Sequence, residues 1–119
     1  MSEASAVVTV ERLPSAIVFH VQPAELRKSE VDAICAAADA EQAAAPALPF
    51  ILDLSKVDFM GSLAMGTLMG LNTEFRTRGQ RLIFASLQPN VDRSIRASRM
   101  NKLMEIAPDL DAAKKSATA

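Results

Sequence analysis

Residues 50–68 read FILDLSKVDFMGSLAMGTL and join an apolar run to a helical pattern through one short polar segment. The first five residues, Phe50–Leu54, are nearly all apolar, which is typical of a strand covered on both faces. After the turn, a helix is predicted to begin near Ser62, and Gly79 is expected to end it. Its apolar residues follow the i, i+4, i+7, i+11 spacing of one helix face: Ala64, Leu68, Leu71 and Phe75.

The chain before this stretch predicts a hairpin and a helix. Ala6–Val10 and Ala16–Val21 are β-branched runs that are expected to pair antiparallel across the turn at Leu13–Ser15. Ser29 is the predicted N-cap of the next helix because an acid follows it three residues later. That helix is expected to run through an alanine-rich segment until Pro46 and Pro49 end it.

The chain after this stretch continues the alternation of strand and helix. A strand is predicted at Arg81–Leu87, a helix opens at Pro89, and Leu103–Ile106 is a final short strand. A terminal helix is expected from Pro108, fraying into the last six residues, KKSATA. The predicted fold is α/β, with a single mixed β-sheet that starts as an antiparallel hairpin, continues as β-α units and carries helices packed on it. Residues 1–119 are predicted to form one domain, with a core at about 5–107 and the helix and tail at 108–119.

Composition excludes several classes of protein. Cys35 is the single cysteine, so no intramolecular disulfide can form, and the cytoplasm is the expected location. We expect neither a signal peptide nor a membrane-inserted segment, because no apolar run approaches the length of a span. The net charge is −1, and residues 1–60 carry −5 while residues 61–119 carry +4. Nucleic-acid binding is disfavoured because the chain is not basic overall and phenylalanine is its sole aromatic residue.

The residues also argue against an enzyme, and no metal or cofactor is expected. A nucleophilic serine needs a nearby base, and His20, the one histidine, has no evident orienting partner. His20 also lacks cysteine or histidine companions for a metal, and we assign it no role. Asp53 and Asp58 belong to a strand end and a turn, where Asp53 is expected to accept backbone N–H groups. Sequence motifs of phosphate-binding loops, zinc sites and dithiols are absent.

Ser62 has two physical interpretations at the start of a helix. Its hydroxyl can cap the first turn, an effect of about 0.5–2 kcal/mol. Alternatively, it can carry a phosphoryl group, whose charge the positive end of the helix dipole tolerates. Such a group would change what docks on the surface rather than what folds.

Four features of the sequence belong together: the run FILDLSKVDF, the serine that opens a helix, the run RLIFASL and the run QPNVDRSIRASRMNKLMEI. In this combination they resemble the STAS domain of bacterial anti-sigma factor antagonists. The resemblance covers about residues 5–107. In that family an Asp-Ser-Ser/Thr-Gly motif opens the helix, and a cognate anti-sigma factor kinase phosphorylates the serine after the aspartate. Ser62 occupies that position, so the resemblance makes it the phosphorylation candidate. The motif aspartate is Gly61 here, the second hydroxyl residue is Leu63, and the glycine is Ala64.

The resemblance implies a docking surface around Ser62 for an anti-sigma factor or serine kinase-type partner. We expect that surface to include Ser62 and six neighbours, with exposed methionine and leucine as adaptable apolar contacts: Lys56, Asp58, Met60, Gly61, Leu63 and Met65. Asp53 and Ser55 match the family's strand end and are expected to be structural. Gly61 is expected to allow close backbone approach or unusual φ.

Three functions stay open from the sequence. The first is a non-enzymatic protein–protein switch that binds an anti-sigma factor and thereby frees a sigma factor. The second is a STAS scaffold, or the accessory subunit of a signalling assembly or lipid ABC transporter, without phosphorylation. The third is a sensor of nucleotides or small molecules in which Arg93, Arg96 and Arg99 meet phosphates, although an ordinary solvated helix face explains these arginines as well. The sequence does not predict an oligomeric state.

Overall fold

Strands alternate with helices along the chain, as the sequence predicts. The computed structural model describes residues 2–4 and 7–118, with side chains from residue 7 onward. In chain order, the strands are β1 (Ser2–Ala4), β2 (Val8–Arg12), β3 (Ile17–Val21), β4 (Glu25–Leu26), β5 (Phe50–Asp53), β6 (Phe59–Met60), β7 (Leu82–Ala85) and β8 (Glu105–Ala107). The helices are α1 (Lys28–Ala44), α2 (Ser62–Thr77), α3 (Pro89–Ala97) and α4 (Leu110–Ala117), and a 3-10 turn covers Met100–Lys102.

The main sheet has six strands in the order β1-β2-β3-β5-β7-β8. β1, β2 and β3 pair antiparallel, and β3, β5, β7 and β8 pair parallel, which confirms the predicted mixed sheet and hairpin. Three strands were not predicted. β1 extends the hairpin side, and β4 and β6 form a separate two-stranded parallel ladder. Short strands like these carry too few residues for a periodic pattern to reveal them.

Alternate residues of the central strands serve two different cores. On β5, Phe50 and Leu52 face α1, α2 and α3, whereas Ile51 faces α4. This division follows from the two-residue period of a strand, which sends successive side chains to opposite faces. Both faces being covered explains why the run from Phe50 is apolar throughout.

Two helix ends differ from the sequence prediction. The N-cap of α1 is Arg27 rather than Ser29, because the Arg27 N–H donates to Glu30 Oε1 at 2.7 Å. The terminal helix also extends further into the last six residues than the sequence predicts. α4 continues to Ala117, its residue Ala113 is fully buried, and Arg81 Nη1 donates to the Ser116 carbonyl at 2.8 Å.

Gly79 is required at the end of α2, and its replacement gives a testable result. It has φ +72°, a conformation that costs other residues about 1–2 kcal/mol, whereas Gly70 lies exposed within the same helix. We expect Gly79→Ala to lower the free energy of unfolding by about 1 kcal/mol and Gly70→Ala to raise it by about 0.5–1 kcal/mol. Urea denaturation followed by far-UV circular dichroism measures both. Equal changes in the two variants would contradict this assignment of Gly79.

Candidate functional site

The turn after β5 is anchored by the carboxylate of Asp53. Its Oδ1 accepts the Ser55 N–H at 3.1 Å, as the sequence predicts for a strand-end aspartate. Ser55 is exposed, and its carbonyl accepts from Gln88 Nε2 at 2.7 Å, which joins the turn to the start of α3. Lys56 is also exposed and donates to Gln22 Oε1 at 2.7 Å. These contacts fix the direction in which the chain leaves the sheet.

The segment from Asp58 to Gly61 is held by the strand that precedes α1. The Asp58 N–H donates to the Ala24 carbonyl at 2.7 Å, and the Gly61 N–H donates to the Leu26 carbonyl at 3.1 Å. The Asp58 carboxylate is exposed and accepts from Asn90 Nδ2 at 3.3 Å. Backbone bonds on both sides of the β4–β6 ladder therefore position the start of α2 without any contribution from Ser62.

Gly61 has no special backbone conformation, contrary to the expectation from sequence. Its φ is −68° and its ψ is 161°, which any residue can adopt. A Cβ built at this position would meet the Leu26 carbonyl oxygen at 3.9 Å, an ordinary contact distance. The site could therefore accept a larger residue, including the aspartate of the family motif, without moving the backbone.

Ser62 is the first residue of α2 rather than its N-cap. Gly61 occupies the cap position, and its carbonyl accepts the Met65 N–H at 2.9 Å. Ser62 is exposed, and its hydroxyl has no hydrogen-bond partner among residues 7–118. The capping interpretation of Ser62 is therefore wrong for this structure, and the hydroxyl is open to solvent next to the positive end of the helix.

The apolar surface beside Ser62 comes from Phe59 and Leu63. Leu63 is 72% exposed and Phe59 is 56% exposed. Met60 and Met65 were expected to be exposed, but they are only 5% and 8% accessible, so that expectation is wrong. Met60 points inward from β6, and strand alternation then sends Phe59 outward. The sequence carried no signal for this arrangement, because β6 has two residues and its pairing with β4 joins distant segments.

A recess of about 560 Å³ lies next to this surface, between α2 and α3. Its lining is mostly apolar or weakly polar: Phe59, Met60, Ser62, Met65, Ser94, Ala97, Ser98 and Met100. We call this recess together with the exposed side chains of Phe59, Ser62 and Leu63 the Ser62 surface. It brings together residues from four elements, β6, α2, α3 and the 3-10 turn.

The arginines near α3 do not form one site. Arg96 is paired with Asp92, the Nε–Oδ1 distance being 2.9 Å. Arg93 Nη1 donates to Asn90 Oδ1 at 3.3 Å, and Arg99 adopts φ +61° where the 3-10 turn begins. All three are exposed, and within residues 7–118 neither Arg93 nor Arg99 has an acidic partner. None of the three arginines lines the recess beside Ser62.

The described residues contain neither a metal-binding cluster nor a membrane-spanning helix. Over residues 2–4 and 7–118, no group of three or more histidine, cysteine, aspartate or glutamate side chains is arranged to hold a metal ion. In the same part of the chain, every helix is too short or too polar to cross a bilayer.

The geometry defines a mixed-sheet α/β domain with three helices on one face, a terminal helix on the other, and an exposed serine where a strand pair meets a helix. Residues 7–113 match the model of the STAS domain family. The chain belongs to the STAS domain family, as the sequence resemblance predicts.

Solved structures of anti-sigma factor antagonists have the same fold. A STAS domain protein from Planctomyces limnophilus is 20% identical with a TM-score of 0.77, covering 96% of this chain and 99% of that one. An anti-sigma factor antagonist from Mycobacterium paratuberculosis is 23% identical with a TM-score of 0.77, covering 95% and 94%. The Bacillus antagonist SpoIIAA in its unphosphorylated form is 19% identical with a TM-score of 0.74, covering 95% and 98%. At these identities the likeness establishes the fold.

Proposed function

We propose that this protein is an anti-sigma factor antagonist that binds an anti-sigma factor or serine kinase-type partner through the Ser62 surface, without catalysis of its own. The observation that carries the proposal is the exposed Ser62 hydroxyl, unpaired within residues 7–118 and flanked by the exposed Leu63 and Phe59. These two side chains adjoin a mostly apolar recess, and a contiguous exposed apolar patch is typical of a contact surface. Sigma factors act in the cytoplasm, and the proposal places the protein there.

Phosphorylation of Ser62 would control this binding by charge. A phosphoryl group adds about two negative charges, and the free N–H groups at the start of α2 stabilise an anion at that position. The backbone bonds of the β4–β6 ladder hold the junction without the hydroxyl, so the fold would be unchanged. A partner that contacts Leu63 would remove water from the phosphoryl group. This desolvation weakens binding unless the partner supplies a matching cation.

Calorimetry tests the proposal directly. It measures the affinity of purified variants for the anti-sigma factor kinases encoded in the same genome. We expect wild type and Ser62→Ala to bind equally and Ser62→Asp to lose about 2 kcal/mol, or about 30-fold in affinity. Ser29→Asp is the matched control, because Ser29 is also an exposed serine in a first helical turn. Failure of every candidate kinase to bind wild type would overturn the partner class.

The missing motif aspartate can be restored in a second experiment. Gly61→Asp should fold normally, since the backbone angles and the space around Cβ both permit a side chain. If the acid orients the hydroxyl in this family, the variant should incorporate more phosphate at Ser62 than wild type does, as measured by intact mass after incubation with the kinase. Gly61→Asn separates charge from shape. No phosphate on either protein, with binding intact, would favour the constitutive scaffold or accessory subunit instead.

A further inference from the structure

Three titratable side chains meet on the sheet face opposite α1, α2 and α3. They come from three adjacent strands: Glu11 on β2, His20 on β3 and Asp53 on β5. His20 Nε2 lies 2.8 Å from Glu11 Oε1, and His20 Nδ1 lies 2.9 Å from Asp53 Oδ2. His20 and Asp53 are directly opposite in the parallel register. We call these three residues the His20 cluster.

The two carboxylates favour the doubly protonated form of the imidazole. A neutral imidazole has one N–H donor and one lone pair, whereas an ionised carboxylate only accepts hydrogen bonds. Both ring nitrogens of His20 face carboxylate oxygens at hydrogen-bond distance. Both contacts can be hydrogen bonds at once only when the ring carries two protons and a positive charge.

The two carboxylates are held differently. The Asp53 side chain is 13% exposed, and its other oxygen already accepts the Ser55 N–H. The Glu11 side chain is 38% exposed. When the ring has a single proton, one of the two carboxylates loses its hydrogen-bond donor. The free-energy cost of this loss is larger for the more buried carboxylate, because water cannot replace the bond as easily. The remaining proton therefore belongs on Nδ1, facing Asp53.

We propose that the His20 cluster is a proton-dependent switch in which doubly protonated His20 joins β2, β3 and β5, and loss of the Nε2 proton to solvent releases Glu11 from β3. Glu11 remains an ionised carboxylate throughout, and Asp53 keeps its hydrogen bond from Nδ1. The switch is independent of any partner at the Ser62 surface.

Lysine side chains from two neighbouring elements lie near the His20 cluster. Lys114 on α4 favours ionised Glu11, and Lys56 in the β5–β6 turn lines the same 240 Å³ recess as His20 while donating to Gln22. Burial lowers the pKa of His20, but the hydrogen bonds to Glu11 and Asp53 outweigh it and raise the pKa above its ordinary 6.5. The hydrogen bond with His20 lowers the pKa of Glu11. Burial raises the pKa of Asp53, but the hydrogen bonds from His20 and Ser55 outweigh burial, so the pKa of Asp53 is lowered as well.

The pH dependence follows from these directions. Because the pKa of folded His20 is raised, its contribution to stability is fully present below pH 6.5 and is lost as the pH rises through the folded value. Glu11 and Asp53 contribute to the stability of the fold at pH values above their ordinary pKa values of 4.5 and 3.8. These contributions are lost as the pH falls through the lowered pKa values of the folded protein. The cluster therefore stabilises the fold most between pH 4.5 and pH 6.5.

The single histidine makes the test direct, because one imidazole signal in an NMR titration belongs to His20. We expect a titration midpoint above 6.5 in wild type, and ¹⁵N shifts that report the Nδ1–H tautomer above the midpoint. Glu11→Gln should lower the midpoint. Either of two results with the wild-type protein would overturn the proposal. One is a titration midpoint at or below pH 6.5, and the other is an Nε2–H tautomer at pH values above the midpoint. In addition, the urea midpoint of wild type should fall on going from about pH 6 to about pH 9, and His20→Gln should lack most of that fall.

Discussion

Replacement of Phe50 by alanine is expected to lower the free energy of unfolding by about 3–5 kcal/mol. Phe50 is fully buried at the centre of the core beneath α1, α2 and α3. Its ring stacks on Phe19 with centroids 5.3 Å apart and meets Phe75 edge-on at 5.1 Å. Alanine would remove both aromatic contacts and leave a cavity that the strands cannot close, since β5 is hydrogen-bonded on both sides.

Such a loss is a large part of the roughly 5–15 kcal/mol that stabilises an ordinary domain. Far-UV circular dichroism in urea is the suitable measurement, because the chain has neither tryptophan nor tyrosine for fluorescence. Phe59→Ala is the matched control, since Phe59 is 56% exposed and should change stability by no more than about 0.5 kcal/mol. A loss below about 1.5 kcal/mol for Phe50→Ala would mean that the aromatic core repacks without it.

Replacement of Leu63 by aspartate is expected to leave the fold intact and to weaken partner binding by about 2 kcal/mol or more, or about 30-fold. Leu63 is 72% exposed next to Ser62, so little buried area is lost within the protein. An acid in the first turn of α2 is also favourable to the helix dipole. Beneath a partner, however, the carboxylate would lose its hydration in place of an apolar contact.

Leu103→Asp is the control for this prediction. Leu103 is 53% exposed, but it follows the 3-10 turn and does not line the Ser62 recess. The bond from Asn72 Nδ2 to Leu103 uses the backbone carbonyl, so it survives the substitution. Calorimetry against the same kinase should show wild-type affinity for Leu103→Asp. Equal weakening by both substitutions would indicate a general charge effect rather than a specific contact at Leu63.

Much of the fold was predictable because its signals are local. The strand from Phe50, the buried stripe that ends at Phe75 and the C-terminal Gly79 are periodic or conformational features that a short window reveals. The prediction for Asp53 succeeded for the same reason, since its backbone partner is two residues away. The terminal helix was predicted, but its length was not, because the end of α4 contacts Arg81, thirty-five residues earlier.

The candidate site was predictable in position but not in its exposed surface. The resemblance located Ser62, yet the exposed and buried roles of Phe59 and Met60 depend on the β4–β6 ladder, which joins segments more than thirty residues apart. The cap position also shifted from Ser62 to Gly61, because the hydrogen bond from the Gly61 N–H to the Leu26 carbonyl fixes where the helix starts. In each case a distant hydrogen bond overrode a local preference.

The sequence by itself determined the α/β class, the hairpin, the alternation of strand and helix and the family, because these depend on residue periodicity and short motifs. Only the tertiary structure decided that Phe59 rather than the methionines joins Leu63 in the exposed surface, and that His20 lies between two carboxylates. The reason is that strand pairing brings Glu11 and Asp53, nine and thirty-three residues from His20, within hydrogen-bond distance of one ring. A lone histidine in a sequence gives no sign of partners that the fold supplies.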